Sequence, residues 1–179
     1  MQTYTSALVC PECLKNKNNS EKKNSAKNQN NSKLGYIISS DVKNLEANWT
    51  CTNCTYSIKS DKVTQLTLRM KEASNKLDEE CWGNSGTSKS KQSGARSIQL
   101  YEAFFKKHEN ISLHPNHVFL IDKKYTLAKM YGRNEGYEAN VMTDDQLRRK
   151  QKLCEEVLFV FDKIMPGRLR KRGANMNIF

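Results

Sequence analysis

From residue 60 onward apolar residues recur every three or four positions, whereas the chain before it holds only short apolar runs, so the hydrophobic period divides the sequence in two. The second part predicts four helices. The first covers about 60–79, with Ser60 or Asp61 as N-cap and Val63, Leu66, Met70, Ala73 and Leu77 along one face. The second spans about 96–109 with a stripe of Ile98, Tyr101, Phe105 and His108. The third opens at His114-Pro115-Asn116-His117, where Pro115 suits the first helical position, and runs to Tyr131 before Gly132 stops it. Its apolar residues, from Val118 and Phe119 to Met130, are too many for one stripe, which implies packing on two sides. The fourth begins with the capping box Thr143-Asp144-Asp145-Gln146, carries Leu147, Cys154, Val157, Leu158, Phe161, Ile164 and Met165 on a broad face, and ends at Pro166-Gly167. Helices three and four, joined by GRNEGYEANVM, read as an antiparallel pair of the size found in α-solenoids.

The first part is patterned differently. Residues 15–33, KNKNNSEKKNSAKNQNNSK, contain no large apolar side chain and read as a disordered insertion, because nothing they bury offsets their ordering entropy. A second low-complexity run over 83–97, GNSGTSKSKQSGARS, reads as a flexible linker. Between insertion and residue 60, Leu34, Tyr36, Ile37 and Ile38 suggest a short strand, with Trp49 on another.

Cysteine spacing adds chemistry to that pattern. Cys10-Pro11-Glu12-Cys13 and Cys51-Thr52-Asn53-Cys54 are two knuckles that together supply the four thiolates of a closed tetrahedral zinc site. Trp49 and Tyr56 flank the second and could wall it from water. The knuckles are 37 residues apart, against about 15 to 20 in most zinc ribbons. Deleting the insertion restores roughly 18, and because closure entropy grows only logarithmically the extra length costs about 1 kcal/mol or less. A pair of disulfides is the competing reading, and the compartment weighs against it. The N-terminus MQTYTSALVCPEC has no signal-type apolar run and no stretch approaches a membrane span, which points to the cytosol or nucleus and to no membrane partner. Cys81 and Cys154 then read as small buried hydrophobes.

Lys and Arg exceed Asp and Glu, 30 against 19, which permits attraction to nucleic acid or acidic partners. Arg148, Arg149, Lys150 and Lys152 gather near the start of the fourth helix, where the dipole disfavours cations, as a solvated face or a contact surface. His114 and His117 have a spacing that could ligate a metal, although histidines at such a helix start more often cap or pack; His108 reads as a surface or boundary residue. No nucleophile-base spacing and no phosphate-cradling glycine loop is recognisable.

Leu113 to Gly173 resembles the C-terminal helical region of SET-and-MYND (SMYD) proteins, particularly the arthropod group: the Leu-His-Pro-Asn-His opening, Tyr131-Gly132-Arg133, the Arg149-Lys150 that precedes Lys152-Leu153-Cys154, and Pro166-Gly167 ahead of an Arg-rich tail. TYTSALVCPEC followed by WTCTNC is similar to the cysteine-rich segment after the SET domain of that group. The resemblance implies a protein-lysine methyltransferase family, in which the SET domain binds S-adenosylmethionine and tetratricopeptide-like helices shape the substrate cleft. The chain holds no MYND array, no Asn-His-Ser-Cys motif, no Gly-x-Gly cofactor loop and no CxCxxC, so it is expected to be a fragment or truncated product, inactive alone, with no catalytic or cofactor-binding residue carried over.

The expectation is therefore a mainly α chain. A small β zinc ribbon at 1–59, with Cys10, Cys13, Cys51 and Cys54 as ligands, precedes a helix at 60–82 and, after the linker, a tetratricopeptide-like helical region at 98–173 and a tail at 174–179. Its expected role is non-catalytic protein or peptide binding, with a histone or other lysine substrate as partner. The alternative is a stand-alone zinc-ribbon nucleic-acid binder that contacts phosphates through the lysine-rich loop and Arg168, Arg170, Lys171 and Arg172.

Overall fold

In the computed structural model, residues 4–23, 33–41, 43–82 and 94–165 are described. The chain is mainly helical with one small antiparallel sheet. It divides into two compact units, one of Tyr4–Lys71 with Lys107–His117, the other of Glu72–Lys106 with the chain from Val118 onward.

The first unit contains strand β1 (Leu8–Val9), helix α1 (Pro11–Lys23) and strands β2 (Tyr36–Ser39), β3 (Trp49–Cys51) and β4 (Ser57–Ile58). The sheet order is β1-β2-β3-β4, each neighbour antiparallel, with Leu8 opposite Ile37, Ile37 opposite Cys51 and Trp49 opposite Ile58. Strand alternation puts Leu8, Ile37 and Cys51 on one face. Ile37 at its centre is buried. Helix α2 (Ser60–Trp82) begins in this unit and continues into the second, and Val63 from its first turn joins the buried set.

Residues 107–117 belong here although the sequence places them among helices. The His108 carbonyl accepts from the N–H groups of Ile111, Ser112 and Leu113, the αL conformation of Asn110 turns the chain, and the returning strand pairs with β1. Val9 donates to the Ser112 carbonyl at 3.0 Å and His114 donates to the Ala7 carbonyl at 3.1 Å, so β1 is hydrogen-bonded along both edges. His114 stacks on Tyr4 at 4.7 Å and meets the edge of Tyr36 at 4.3 Å.

The second unit holds the rest of α2, helix α3 (Gly94–His108) up to Lys106, helix α4 (Val118–Met130) and helix α5 (Asp144–Ile164). Its core is Leu77, Ile98, Tyr101, Phe104, Phe105, Leu120, Leu127, Leu153, Val157 and their neighbours. The capping box is present: Gln146 N–H donates to Thr143 Oγ1 and Thr143 N–H donates to Gln146 Oε1. Helix α4 is buried on more than one side, and the burial includes two lysines. Lys124, 1 % exposed, pairs with Glu156 of α5 at 2.7 Å. Lys123 pairs with Asp78 of α2 and with Asp122, while Asp78 also accepts from Tyr101 Oη at 2.9 Å. Arg149 forks onto Glu102 of α3 at 2.7 and 2.8 Å, so this member of the α5 cation cluster is a tie between helices.

Several expectations are corrected. Residues 15–23, read as part of a disordered insertion, continue α1, because Pro11 and the Leu14 N–H bond to the Cys10 carbonyl start a helix that lysines propagate. Residues 24–32 lie outside the described set. Residues 94–97, assigned to the linker, open α3, and 83–93 lie outside the described set. His114 to His117 do not start α4 but form a turn, closed by His117 N–H on the His114 carbonyl at 2.8 Å. A residue before proline avoids the helical region, and here His114 is extended against β1. His108, read as a surface or boundary residue, is buried.

Candidate metal centre

Each of the four sulfurs is delivered by a different piece of local geometry. Cys10 follows β1 directly, and its N–H donates to the Gly35 carbonyl at 3.0 Å, which fixes the first knuckle to the strand leading into β2. Cys13 is one turn into α1, so the first knuckle is a helix start and not the hairpin turn of a ribbon. Cys51 ends β3, its N–H donating to the Tyr56 carbonyl at 2.9 Å, and Cys54 closes the turn that follows. Trp49, two residues earlier, lies on the same face of β3 as Cys51.

The four Sγ atoms lie within 4.8 Å of one another. Two separations cross between the knuckles at 3.6 Å for Cys10 and Cys54 and 3.7 Å for Cys13 and Cys51. Cys10 and Cys13 are buried and the other two half-buried. No other cluster of metal-ligating side chains occurs among the described residues, so His114 and His117 join no metal site there. Cys81 and Cys154 are buried thiols of the second unit, and burial raises the pKa of both, as expected of small apolar residues.

Two residues that the sequence reading passed over complete the site. Gly35 lets the backbone touch the sulfurs: a Cβ there would stand 2.5 Å from Cys51 Sγ and 2.7 Å from Cys13 Sγ. Asn53 donates its N–H to Cys51 Sγ at 3.3 Å and its side-chain amide to Cys13 Sγ at 3.7 Å and to the Lys33 carbonyl at 2.7 Å. The signal for Asn53 was its place inside a knuckle. Gly35 had none beyond preceding an apolar run.

Four crowded thiols without a cation resist ionising together. Burial pushes the Cys10 thiol up to about 12, with hydrogen bonds to neighbouring thiols adding to the rise. Cys13 is raised by burial first and Cys54 second. At Cys51 burial also pulls upward, but the backbone N–H groups of Asn53 and Cys54 together with hydrogen bonds to the Cys10 and Cys54 thiols outweigh it and the net shift is downward. A divalent cation reverses this, because it is ligated by the deprotonated form. The arrangement could hold a metal ion, and with four protein donors it would leave no open position for a reacting water.

Among the described residues no helix is long and apolar enough to cross a membrane. The tail cations Arg168, Arg170, Lys171 and Arg172 lie outside the described set. The chain matches no family model, no curated protein and no solved structure.

Proposed function

We propose that Cys10, Cys13, Cys51 and Cys54 hold one structural zinc ion, and that the chain is a non-catalytic binding segment of a SET-type, SMYD-like protein-lysine methyltransferase. The observation that carries the metal reading is the convergence of four sulfurs from two distant knuckles within 4.8 Å. A zinc–sulfur bond of about 2.3 Å in a regular tetrahedron separates its sulfurs by about 3.8 Å. The 3.6 and 3.7 Å pairs stand close to that value. Thiolate donors without carboxylate or water suit zinc in preference to the hard cations magnesium and calcium.

The partner class rests on resemblance of residues. Leu113 to Gly173 and the cysteine-rich segment are similar to the corresponding regions of that family, and α4 packed on α5 supports a tetratricopeptide-like pair that presents a groove to a peptide, a histone tail or another lysine substrate. The nucleic-acid reading has less support. Arg149 is committed to Glu102, and Arg148 and Lys152 approach Asp145 and Glu156 within 4.0 Å.

Elemental analysis of the purified chain is expected to give one zinc per chain, and cobalt is expected to replace it with the visible spectrum of a tetrahedral four-thiolate site. Absence of a tightly held ion would overturn the metal reading. With S-adenosylmethionine and lysine peptides no turnover is expected, and methyl transfer by this chain would overturn the assignment as non-catalytic.

A further inference from the structure

The geometry points to Asn53 as the positioning residue that locks the metal into this site, a role that rests on the metal reading above. Its N–H bond to Cys51 Sγ is a contact within its own knuckle. Its side chain leaves that knuckle altogether. The carboxamide has two N–H donors, and Nδ2 has two partners: Cys13 Sγ in the first knuckle at 3.7 Å and the Lys33 carbonyl at 2.7 Å, where the chain returns toward β2. One residue thereby bonds a sulfur from each knuckle and the strand entry between them. Cys13 and Cys51 are also one of the two close cross-knuckle pairs, 3.7 Å apart, and they are the two sulfurs that border Gly35.

Donors aimed at a ligating sulfur act in two ways. They fix the side-chain rotamer, so that the four-sulfur cage exists before the ion arrives, and they draw electron density from the thiolate, which lowers the repulsion among four anions around one dication. Gly35 supplies room but no side chain, and the other backbone bonds, Cys10 N–H to the Gly35 carbonyl and Thr52 N–H to the Tyr36 carbonyl, tie each knuckle to the entry of β2 and not to the other knuckle. Asn53 is the side chain that crosses between knuckles.

The test uses the full chain loaded with zinc or cobalt, comparing wild type with Asn53→Ala, Asn53→Asp and Asn53→Gln. Loss of an outer-shell partner ordinarily weakens metal binding about 10- to 100-fold. Asn53→Ala is expected to release zinc to a chromophoric chelator at least tenfold faster, and Asn53→Asp faster still, because a carboxylate repels the thiolates. Asn53→Gln keeps the donor and is expected to recover part of the loss. In the cobalt form the sulfur-to-metal charge-transfer band is expected to shift in Asn53→Ala and to move back toward wild type in Asn53→Gln. That band is read on loaded protein, so it reports the sulfur hydrogen bond even where a variant folds only with metal. If wild type binds no ion, the metal reading fails and the role of Asn53 with it. If wild type binds its ion and Asn53→Ala releases it at the same rate with an unshifted band, the role of Asn53 alone is overturned.

Discussion

Gly35→Ala is the sharpest perturbation available, because it adds one methyl group and aims it at the sulfurs. The new Cβ would lie 2.5 Å from Cys51 Sγ, 2.7 Å from Cys13 Sγ and 2.9 Å from Asn53 Cβ, where ordinary contact begins at 3.4 Å. Relief requires Cys51 Sγ to retreat by about 0.9 Å and Cys13 Sγ by about 0.7 Å, against the ±0.2 Å that metal–ligand distances tolerate. Backbone strain does not contribute, since Gly35 is not in the left-handed region. The methyl group therefore sets ligands against metal, and zinc affinity is expected to fall at least 100-fold, about 2.7 kcal/mol. Competition with a chelator of known affinity measures it. Gly136→Ala is the control: it sits at φ +78° with nothing within 4 Å, so it is expected to lower stability slightly and leave zinc binding alone. Retention of zinc by Gly35→Ala within threefold of wild type would refute the reasoning that this backbone is in contact with the sulfurs.

Three further perturbations separate the two units and their buried charges. Stripping the metal with a strong chelator is expected to collapse hydrogen-exchange protection in β1 to β4 and residues 111–114 while α4 and α5 keep theirs; uniform loss throughout, or none, would contradict the division into units. Burial, with His114 adding to it, holds the His117 pKa down at about 4 from 6.5, so the folded state favours the neutral ring. Its contribution is whole above pH 6.5 and drains as pH falls toward 4, on the order of 3 kcal/mol. His117→Gln is expected to flatten urea stability across that window, and superimposable pH profiles would dismiss the effect. Asp78→Ala leaves Lys123 with Asp122 alone and Tyr101 Oη without its carboxylate, and a loss of about 2 kcal/mol is expected in urea unfolding. That is less than the 3–5 of a fully buried pair because Asp78 is 39 % exposed and Asp122 remains; an unchanged midpoint would show the network to be idle.

What could be read from the sequence was whatever chemistry or geometry is settled within a few residues. The Cys-x-x-Cys pairs are such a case, since a tight turn is enough to aim two sulfurs together, and so is the Thr143–Gln146 capping box. Helix α1 escaped because lysines and asparagines carry no apolar period, and because its start is set by Pro11 and a cysteine knuckle instead of a buried face. Strands β1 and β4 are two residues long, too short for alternation to register. The Leu-His-Pro-Asn-His element looked like a helix start because proline does favour the first helical position. What decides it is a backbone bond to Ala7, more than a hundred residues away. The buried lysines were not legible for the same reason: the carboxylates of Asp78 and Glu156 reach Lys123 and Lys124 from α2 and α5, far away in the sequence.

The size of the core around the four cysteines sets how much a metal ion held there would contribute. Apart from the cysteines, the large apolar side chains buried in the first unit, among its described residues, are Leu8, Val9, Ile37, Val63 and Leu113. Each contributes about 1.5–3 kcal/mol on burial. Small units with so few such residues usually need a disulfide or a metal to fold. Structural zinc supplies about 10–16 kcal/mol of apparent binding free energy near neutral pH, comparable with all five side chains together. The sulfurs are also placed where that energy acts on the most chain: Cys10 is continuous with the strand paired on both edges, by Ile37 on one side and Leu113 on the other, while Cys51 lies opposite Ile37. An ion held by these residues fastens β1, β2, β3 and the returning 107–117 segment at once, whereas an ion at a sheet edge would fasten one turn. An ion ligated by all four cysteines would have no coordination site left to offer a substrate, so its contribution would lie in what it holds in place.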